Sequence, residues 1–114
     1  CMKIHLYPKG VYQVLKIEED VQVISDLSEL RFLVEGYLRQ GKRHLAVSFS
    51  DASYIYSGAL AVLIDCFKKI KDGKGDLCLI EPKTEIKQAF ECLGLDRLMQ
   101  VYDSEDQLLS REAE

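Results

Sequence analysis

The sequence predicts an α/β fold in which a mixed sheet of four or five strands carries helices packed mainly on one face. Three observations lead to this prediction. Two short apolar segments near the N-terminus are separated by Pro8-Lys9-Gly10, whose turn chemistry suits an antiparallel hairpin. Further along the chain, segments with apolar residues at helical spacing alternate with short apolar segments that are typical of buried strands. Alternation of this kind predicts one sheet with helices packed against it.

The first half of the chain predicts three strands and one helix. The hairpin strands are expected over residues 2–7 and 11–18, and a third strand over 44–49. Ser25 or Asp26 can cap the first helix, and Gly41 ends it. The apolar positions of this helix repeat at intervals of three and four; they are Leu27, Leu30, Leu33, Val34, Tyr37 and Leu38.

The second half predicts two more strands and three helices. A second helix begins near Ser57, and its apolar positions are Leu60, Leu63, Ile64 and Phe67. A strand over 77–80 is closed by Pro82, and a last short strand covers 99–102. Between them lies a third helix that ends at Gly94 and has Ile86, Ala89, Phe90 and Leu93 on one face. The terminal segment 104–114 is acidic, and a helix is expected there from about Ser104 to Arg111.

Length and charge limit the classes of function. The 114 residues, 47% of them hydrophobic, are expected to form one domain over 1–114. A net charge of −4 argues against nucleic acid or an anionic membrane as the main partner. Lys68, Lys69, Lys71 and Lys74 cluster where cations offset the negative end of the second helix. The sequence contains neither an apolar run that could span a bilayer nor a signal-peptide core, so a soluble, cytoplasmic protein is expected.

Reactive side chains do not form a recognisable site. Cys1 precedes Met2, which would be the natural start, and is expected to be left over from cloning. Cys66, Cys78 and Cys92 lie in apolar elements and are predicted to fill the core of a protein in a reducing compartment. His5 and His44 lack accompanying ligands. The sequence therefore predicts no metal site, no catalytic residues, no cofactor and no enzymatic activity.

The junction between the third strand and the second helix is the segment most suggestive of function. The start of a helix carries unpaired N–H groups and partial positive charge, so it suits either a capping Ser57 or a recognition site. Tyr54 and Tyr56 would face the same side of an extended segment. They are either part of a binding hot spot, or one ring packs under the loop while the other is merely exposed.

Several segments resemble the STAS domain family, whose best-known members are bacterial anti-sigma factor antagonists. Residues 49–64, FSDASYIYSGALAVLI, match without a gap the family pattern LSGVSYIDSSGLGVLL. Residues 75–82 are similar to the family's strand-and-proline segment, and residues 92–99, CLGLDRLM, resemble its TGLDRLF turn. Tyr102-Asp103-Ser104-Glu105 resembles the start of the family's last helix. The resemblance implies a STAS-like fold over most of the chain.

The motif that carries phosphorylation in the family is altered here. Tyr56, Ser57 and Gly58 stand where the family usually has an aspartate followed by two serines, so Gly58 occupies the phosphate-acceptor position. The glycine that follows in the family is Ala59 here. Two further positions that are commonly aspartate in the family correspond to Ser48 and Gln22. Ser57 is the remaining candidate acceptor, although its side chain would point about 100° around the helix from the usual one.

The resemblance implies a protein-binding regulator of transcription that binds a kinase-like anti-sigma factor in a bacterial partner-switching pathway. It places the partner-binding surface at Tyr54, Tyr56, Ser57, Gly58 and Ala59. Without an acceptor at Gly58, we expect this binding to persist without the usual phosphate switch. The alternative is a STAS-like accessory subunit of a membrane transporter or a sensory assembly. The sequence leaves a homodimer open.

Overall fold

A computed structural model describes residues 3–110. Cys1, Met2 at the start of the first predicted strand, and Arg111 at the end of the predicted terminal helix lie outside the described residues. The elements follow in the order β1 (Ile4–Lys9), β2 (Tyr12–Ile17), β3 (Val23–Ile24), α1 (Ser28–Arg39), β4 (His44–Ser48), β5 (Tyr54–Ile55), α2 (Ser57–Asp72), β6 (Asp76–Ile80), α3 (Thr84–Cys92), a 3-10 turn (Leu95–Arg97), β7 (Val101–Tyr102) and α4 (Gln107–Ser110). In residues 3–110, none of these helices combines the length and apolar character needed to cross a membrane.

The main sheet has five strands in the order β1-β2-β4-β6-β7. β1 and β2 are antiparallel, whereas β2, β4, β6 and β7 are parallel, which confirms the predicted mixed sheet with an N-terminal hairpin. Because the four parallel strands share one direction, the connections that enter them lie at one end of the sheet and those that leave them lie at the other. These are called the amino end and the carboxyl end below.

The hairpin turn lies two residues later than Pro8-Lys9-Gly10. β1 continues through Pro8 to Lys9, which pairs with Tyr12, so the turn consists of Gly10 and Val11. Gly10 has φ +63°, as the first central residue of a type II′ turn requires. Pro8 is tolerated because β1 is an edge strand, where the missing N–H removes no ladder hydrogen bond from the sheet interior.

One face of the sheet forms the main core with three helices. Alternate strand residues point to this face, as the two-residue period of a strand requires; they are Leu15, Ile17, Leu45, Val47, Leu77 and Leu79. Packed against them are Leu30 and Val34 of α1, Leu63, Phe67 and Ile70 of α2, and Ile86 and Phe90 of α3. The N-cap of α1 is Leu27, which makes no side-chain capping bond, so the prediction that Ser25 or Asp26 is the cap is wrong. The Asp26 carboxylate instead accepts a hydrogen bond of 2.9 Å from the amide of Ser28, the first residue of α1.

The opposite face is covered by the C-terminal segment. Tyr12, Val14, Ala46, Cys78 and Ile80 form a second buried cluster together with Leu108 of α4. The segment 103–110 is fixed to β1 by polar contacts, since the Tyr7 hydroxyl donates to the Glu105 carboxylate over 2.8 Å and Lys9 pairs with Asp106 at 3.2 Å. Helices α1 to α3 therefore lie on one face, as predicted, while the short α4 lies on the other.

Two predicted core residues prove to be exposed. Leu93 is 62% exposed because α3 ends one residue earlier, at Cys92, and the chain then turns through Gly94 with φ +73°. Cys92 is exposed as well, whereas Cys66 and Cys78 are buried as predicted. The predicted helix was one residue too long, and helical periodicity therefore assigned Leu93 to the buried face wrongly.

Candidate functional site

The junction between β4 and α2 begins with a tight turn at the carboxyl end of the sheet. Ser48, the last residue of β4, is buried, and its hydroxyl oxygen accepts a hydrogen bond of 3.3 Å from the Ser50 amide. Ser50 has φ +54°, in the left-handed region, and its hydroxyl donates to the Ile17 carbonyl of β2. A side chain bonded to the neighbouring strand thus holds a backbone conformation that non-glycine residues rarely adopt.

Two very short parallel strands then set the position of the helix start. β5 pairs with β3, so that Val23 lies opposite Tyr54 and Ile24 lies opposite Ile55. The pairing is extended at both ends, because the Ser53 amide donates to the Gln22 carbonyl and the Tyr56 amide donates to the Ile24 carbonyl, each over 2.9 Å. The structure therefore brings Gln22 beside the junction, although it is far away in sequence.

Tyr54 and Tyr56 both project to solvent from this pair of strands. They are 55% and 50% exposed, while Ile55 between them points into the core. Their ring centroids are 5.3 Å apart at an interplanar angle of 82°, an edge-to-face contact that fixes the two rings against each other. Neither ring is packed under the loop. Together with Val23, which is 44% exposed on the adjacent strand, they form a surface that we call the aromatic ridge.

The first turn of α2 follows the ridge directly. The N-cap is Tyr56, which makes no side-chain capping bond, and Ser57 is the first helical residue. The interpretation of Ser57 as the cap is therefore wrong, because the helix begins one residue earlier than that role requires. Ser57 and Gly58 are exposed, and a Cβ atom added at Gly58 would meet no atom within 4 Å.

Ala59 differs from the other residues expected at this surface. It is 1% exposed and packs in the main core, so its side chain offers no contact to a partner. The exposed residues at the start of α2 and on the strand pair before it are Val23, Tyr54, Tyr56, Ser57 and Gly58, and Gln22 and Asp51 are exposed close by. Val23 was missed because β3 is only two residues long, and its pairing with Tyr54 depends on contacts distant in sequence.

Ser48 and Gln22, which the resemblance places at two positions that are commonly aspartate in the family, carry no charge. Ser48 is buried and engaged with Ser50, and Gln22 is exposed beside Ser53. Asp26, which follows β3, is ionised more readily than usual because the hydroxyl and amide of Ser28 both donate to it and lower its pKa. That carboxylate is already engaged by Ser28 at the start of α1. The junction therefore has the character of an aromatic, hydrogen-bonding surface.

At the junction itself, the geometry favours a macromolecular partner over a small ligand. Larger grooves of about 370 and 550 Å³ lie beside the start of α1 and along the β1–β2 hairpin. The groove nearest the junction, lined by Lys16, Glu19, Ser48, Ser50, Asp51 and Glu81, has a volume of about 220 Å³. Small-molecule sites usually enclose about 300–1,000 Å³. Within residues 3–110, no group of three or more histidine, cysteine, aspartate or glutamate side chains could hold a metal ion. What the junction presents is an exposed ridge beside a helix start.

The chain resembles known proteins in family, sequence and fold. The family model described as the STAS domain matches residues 11–108. A Thermotoga neapolitana protein named as a provisional anti-sigma factor antagonist is 24% identical over an alignment of 98 residues. The alignment covers 78% of this chain and 87% of the relative.

Two solved structures share the fold. A crystal structure of a provisional anti-sigma factor antagonist from Thermotoga maritima superimposes with a TM-score of 0.78 at 16% identity, covering 97% of this chain and 95% of the other. The Bacillus cell fate determinant SpoIIAA, in its phosphorylated form, gives a TM-score of 0.69 at 14% identity over 97% and 98% of the two chains. Since the family match spans nearly the whole described chain, from the hairpin turn to α4, the protein belongs to the STAS domain family.

Proposed function

We propose that this protein is a non-enzymatic regulator of the anti-sigma factor antagonist type, which binds a kinase-like anti-sigma factor in the bacterial cytoplasm. The relatives named above support the general class. The observation that carries the proposal is the aromatic ridge beside the first turn of α2, at the segment that matches the family motif without a gap. Exposed aromatic rings with polar tips are common in the energetic centres of protein interfaces.

The proposed contact surface comprises the aromatic ridge, Ser57 and Gly58. Both tyrosines are half-exposed and their rings are already fixed against each other, so little side-chain freedom remains to be lost on binding. Gly58 adds no side chain, which leaves the backbone of the helix start open to a partner's acceptor groups. The partner would bury the rings and bond to the first-turn amides of α2.

In this proposal, binding continues without a phosphate switch at the usual position. Gly58 has no hydroxyl, and the positions of two family carboxylates are occupied by Ser48 and Gln22. Phosphorylation would otherwise add a charge of about −1.5 to −2 to a close-packed contact and break that contact. The protein would then be a constitutive binder or respond to another input.

A binding experiment tests the surface. The anti-sigma factor recovered with this protein from its native cell is titrated with the parent chain and with Tyr56→Ala. We expect Tyr56→Ala to weaken binding about tenfold, because the ring is a buried anchor in the complex. Leu93→Ala is the matched control, since Leu93 is an equally exposed apolar side chain at the opposite end of the molecule. Unchanged affinity across Tyr54→Ala, Tyr56→Ala and Gly58→Arg would place the interface elsewhere.

A further inference from the structure

The amino end of the sheet carries an unbalanced positive charge. Seven exposed cations lie on the last turns of α1 and α2 and on the connections into the parallel strands; they are Arg39, Lys42, Arg43, Lys68, Lys71, Lys74 and Arg97. Within residues 3–110, none of the seven is in an ion pair, whereas the other basic side chains except Lys3 and Lys83 each pair with a carboxylate. We call this surface the basic end.

The cations of the basic end lie on connections that touch each other. The Asp76 amide donates to the Arg43 carbonyl over 2.7 Å, which places the connection before β4 beside the connection before β6. A Cβ atom at Gly73, on the second connection, would lie 3.5 Å from Leu38 at the end of α1. The residues around Lys42 and Lys74 therefore form one continuous surface.

The charge exceeds what the helix ends require. The described carboxylates at this end are Asp72, Asp76, Glu91 and Asp96, so the seven cations leave a formal excess of 7 − 4 = +3. Each helix C-terminus contributes roughly −0.5 charge, or about −1.5 for α1, α2 and α3 together. A net positive charge remains after both corrections. Offsetting the helix dipoles explains only part of this cluster.

Exposed apolar side chains lie at both edges of the basic end. Val11, 48% exposed, is at the tip of the β1–β2 hairpin. Leu93 and Leu98, 62% and 44% exposed, flank the 3-10 turn that leads to β7, at the opposite edge of the sheet. The cations lie between these two edges, at the ends of α1 and α2 and on the connections into β4, β6 and β7. Basic residues interspersed with protruding apolar residues are typical of surfaces that bind the membrane interface.

The opposite end of the molecule is acidic. Glu18, Glu19, Asp20, Asp51 and Glu81 lie on the connections that leave the parallel strands. The net charge of −4 is therefore an average over two unlike ends. An anionic ligand that extended along the molecule would meet repulsion from the acidic end, whereas a flat anionic surface that touches the basic end alone would not. The arrangement favours a surface over a long polyanion.

We propose that the basic end binds peripherally to membranes that contain anionic lipids. The seven cations contact the headgroups, and Val11, Leu93 and Leu98 enter the interface between headgroups and acyl chains. The aromatic ridge, at the carboxyl end, then faces away from the lipid, so membrane and protein partner can be bound together. Whether the proposed partner binding is correct does not affect this inference.

Co-sedimentation with vesicles tests it. The parent chain is expected to bind vesicles of phosphatidylcholine and phosphatidylglycerol and to leave phosphatidylcholine vesicles unbound. The double variant Lys42→Gln/Lys71→Gln should bind the anionic vesicles on the order of twenty-fold more weakly, since each cation near such a surface contributes about fivefold. The matched control is Lys3→Gln/Lys83→Gln, which removes the two unpaired cations of the opposite end and should bind like the parent.

A spectroscopic measurement tests the orientation independently. The chain contains no tryptophan, so Val11→Trp introduces a single reporter at the basic end. Its emission should shift to shorter wavelength on adding anionic vesicles, while that of Thr84→Trp, at the carboxyl end, should not. Equal shifts in both proteins, equal binding to both kinds of vesicle, or equal loss in the two double variants would overturn the proposal. Binding to a polyglutamate peptide or to duplex DNA without binding to vesicles would overturn it as well, and would assign the basic end to an acidic protein or to nucleic acid.

Discussion

At the scale of single residues, two glycines show that the same residue can have opposite effects on stability in different surroundings. A Cβ atom at Gly75 would lie 2.4 Å from the Arg43 carbonyl oxygen and 2.9 Å from the Ile70 side chain. We expect Gly75→Ala to lower the free energy of unfolding by about 1–3 kcal/mol or more, because backbone atoms must shift. Gly36, inside α1, has open space around it, so Gly36→Ala should raise that free energy by roughly 0.5–1 kcal/mol. Urea denaturation of both variants measures the two changes; the same sign for both would contradict the packing described here.

Gly58 gives a second prediction at this scale. Because nothing lies within 4 Å of an added Cβ, Gly58→Ser should fold with unchanged stability within about 0.5 kcal/mol. We nevertheless expect it to remain unmodified when it is incubated with the proposed kinase-like partner and ATP, since the resemblance places Ser48 and Gln22 where the family motif has carboxylates. Mapping of modified peptides by mass spectrometry reads the result. Phosphate on residue 58 of the variant would show that loss of the hydroxyl is the only defect.

The role of a single residue could be predicted where it depends on neighbours in sequence, and could not where it depends on contacts distant in sequence. The start of α2 near Ser57 follows from local periodicity and is confirmed, whereas Asp26 bonds to Ser28 but is not the cap of α1, which is Leu27. The exposure of Val23 and the burial of Ala59 depend on pairing between β3 and β5 and on the packing of α2. Those contacts join residues about thirty positions apart, so no local pattern reports them.

At the scale of elements, the C-terminal segment is the feature with the clearest dependence on pH. Burial raises the pKa of the Tyr7 hydroxyl above its usual value, and the hydrogen bond to Glu105 raises it further. Below a pH of about 10, tyrosine is protonated in both the folded and the unfolded chain. Above it the unfolded chain loses the proton first, so the free energy of unfolding falls as the pH rises.

We therefore expect Tyr7→Phe to flatten the loss of stability between about pH 9 and about pH 11, because the titrating hydroxyl is gone. Urea denaturation midpoints of the parent and the variant across this range make the comparison. Some slope should remain, since the Asp103 carboxylate raises the pKa of Lys87 and that contribution is also lost at high pH. An equally steep decline in both proteins would show that Tyr7 is not held as described.

Elements with strong periodicity were predictable, and the two-residue strand β7 lies within the predicted strand 99–102. The other two strands of that length, β3 and β5, were not predicted. The three long helices and the strands of the main sheet correspond to patterns of several residues, which tolerate errors of one or two positions at their ends. β3 and β5 have two residues each and no periodicity to detect. The continuation of β1 through Pro8 was missed because the proline suggests a turn, whereas the edge position that permits it appears only once the strand order is known.

At the scale of the whole molecule, the parallel sheet separates two surfaces of different character. The carboxyl end presents the aromatic ridge together with acidic connections, and the amino end presents the basic end. The amino-acid composition gives only the sum of these charges and not their separation into two ends. The separation follows from strand direction, because every connection that enters a parallel strand lies opposite every connection that leaves one. A partner at one end and a membrane at the other would therefore not compete for the same residues.

We propose that the aromatic ridge holds its partner without a phosphate switch. This is tested by the dissociation constant of the complex with the proposed kinase-like anti-sigma factor, before and after incubation with ATP, with the modified peptides mapped in the same samples. We predict an unchanged dissociation constant and no phosphate on Ser57. Stoichiometric phosphate on Ser57, accompanied by release of the partner, would contradict the claim and show that the switch has moved by one residue along α2.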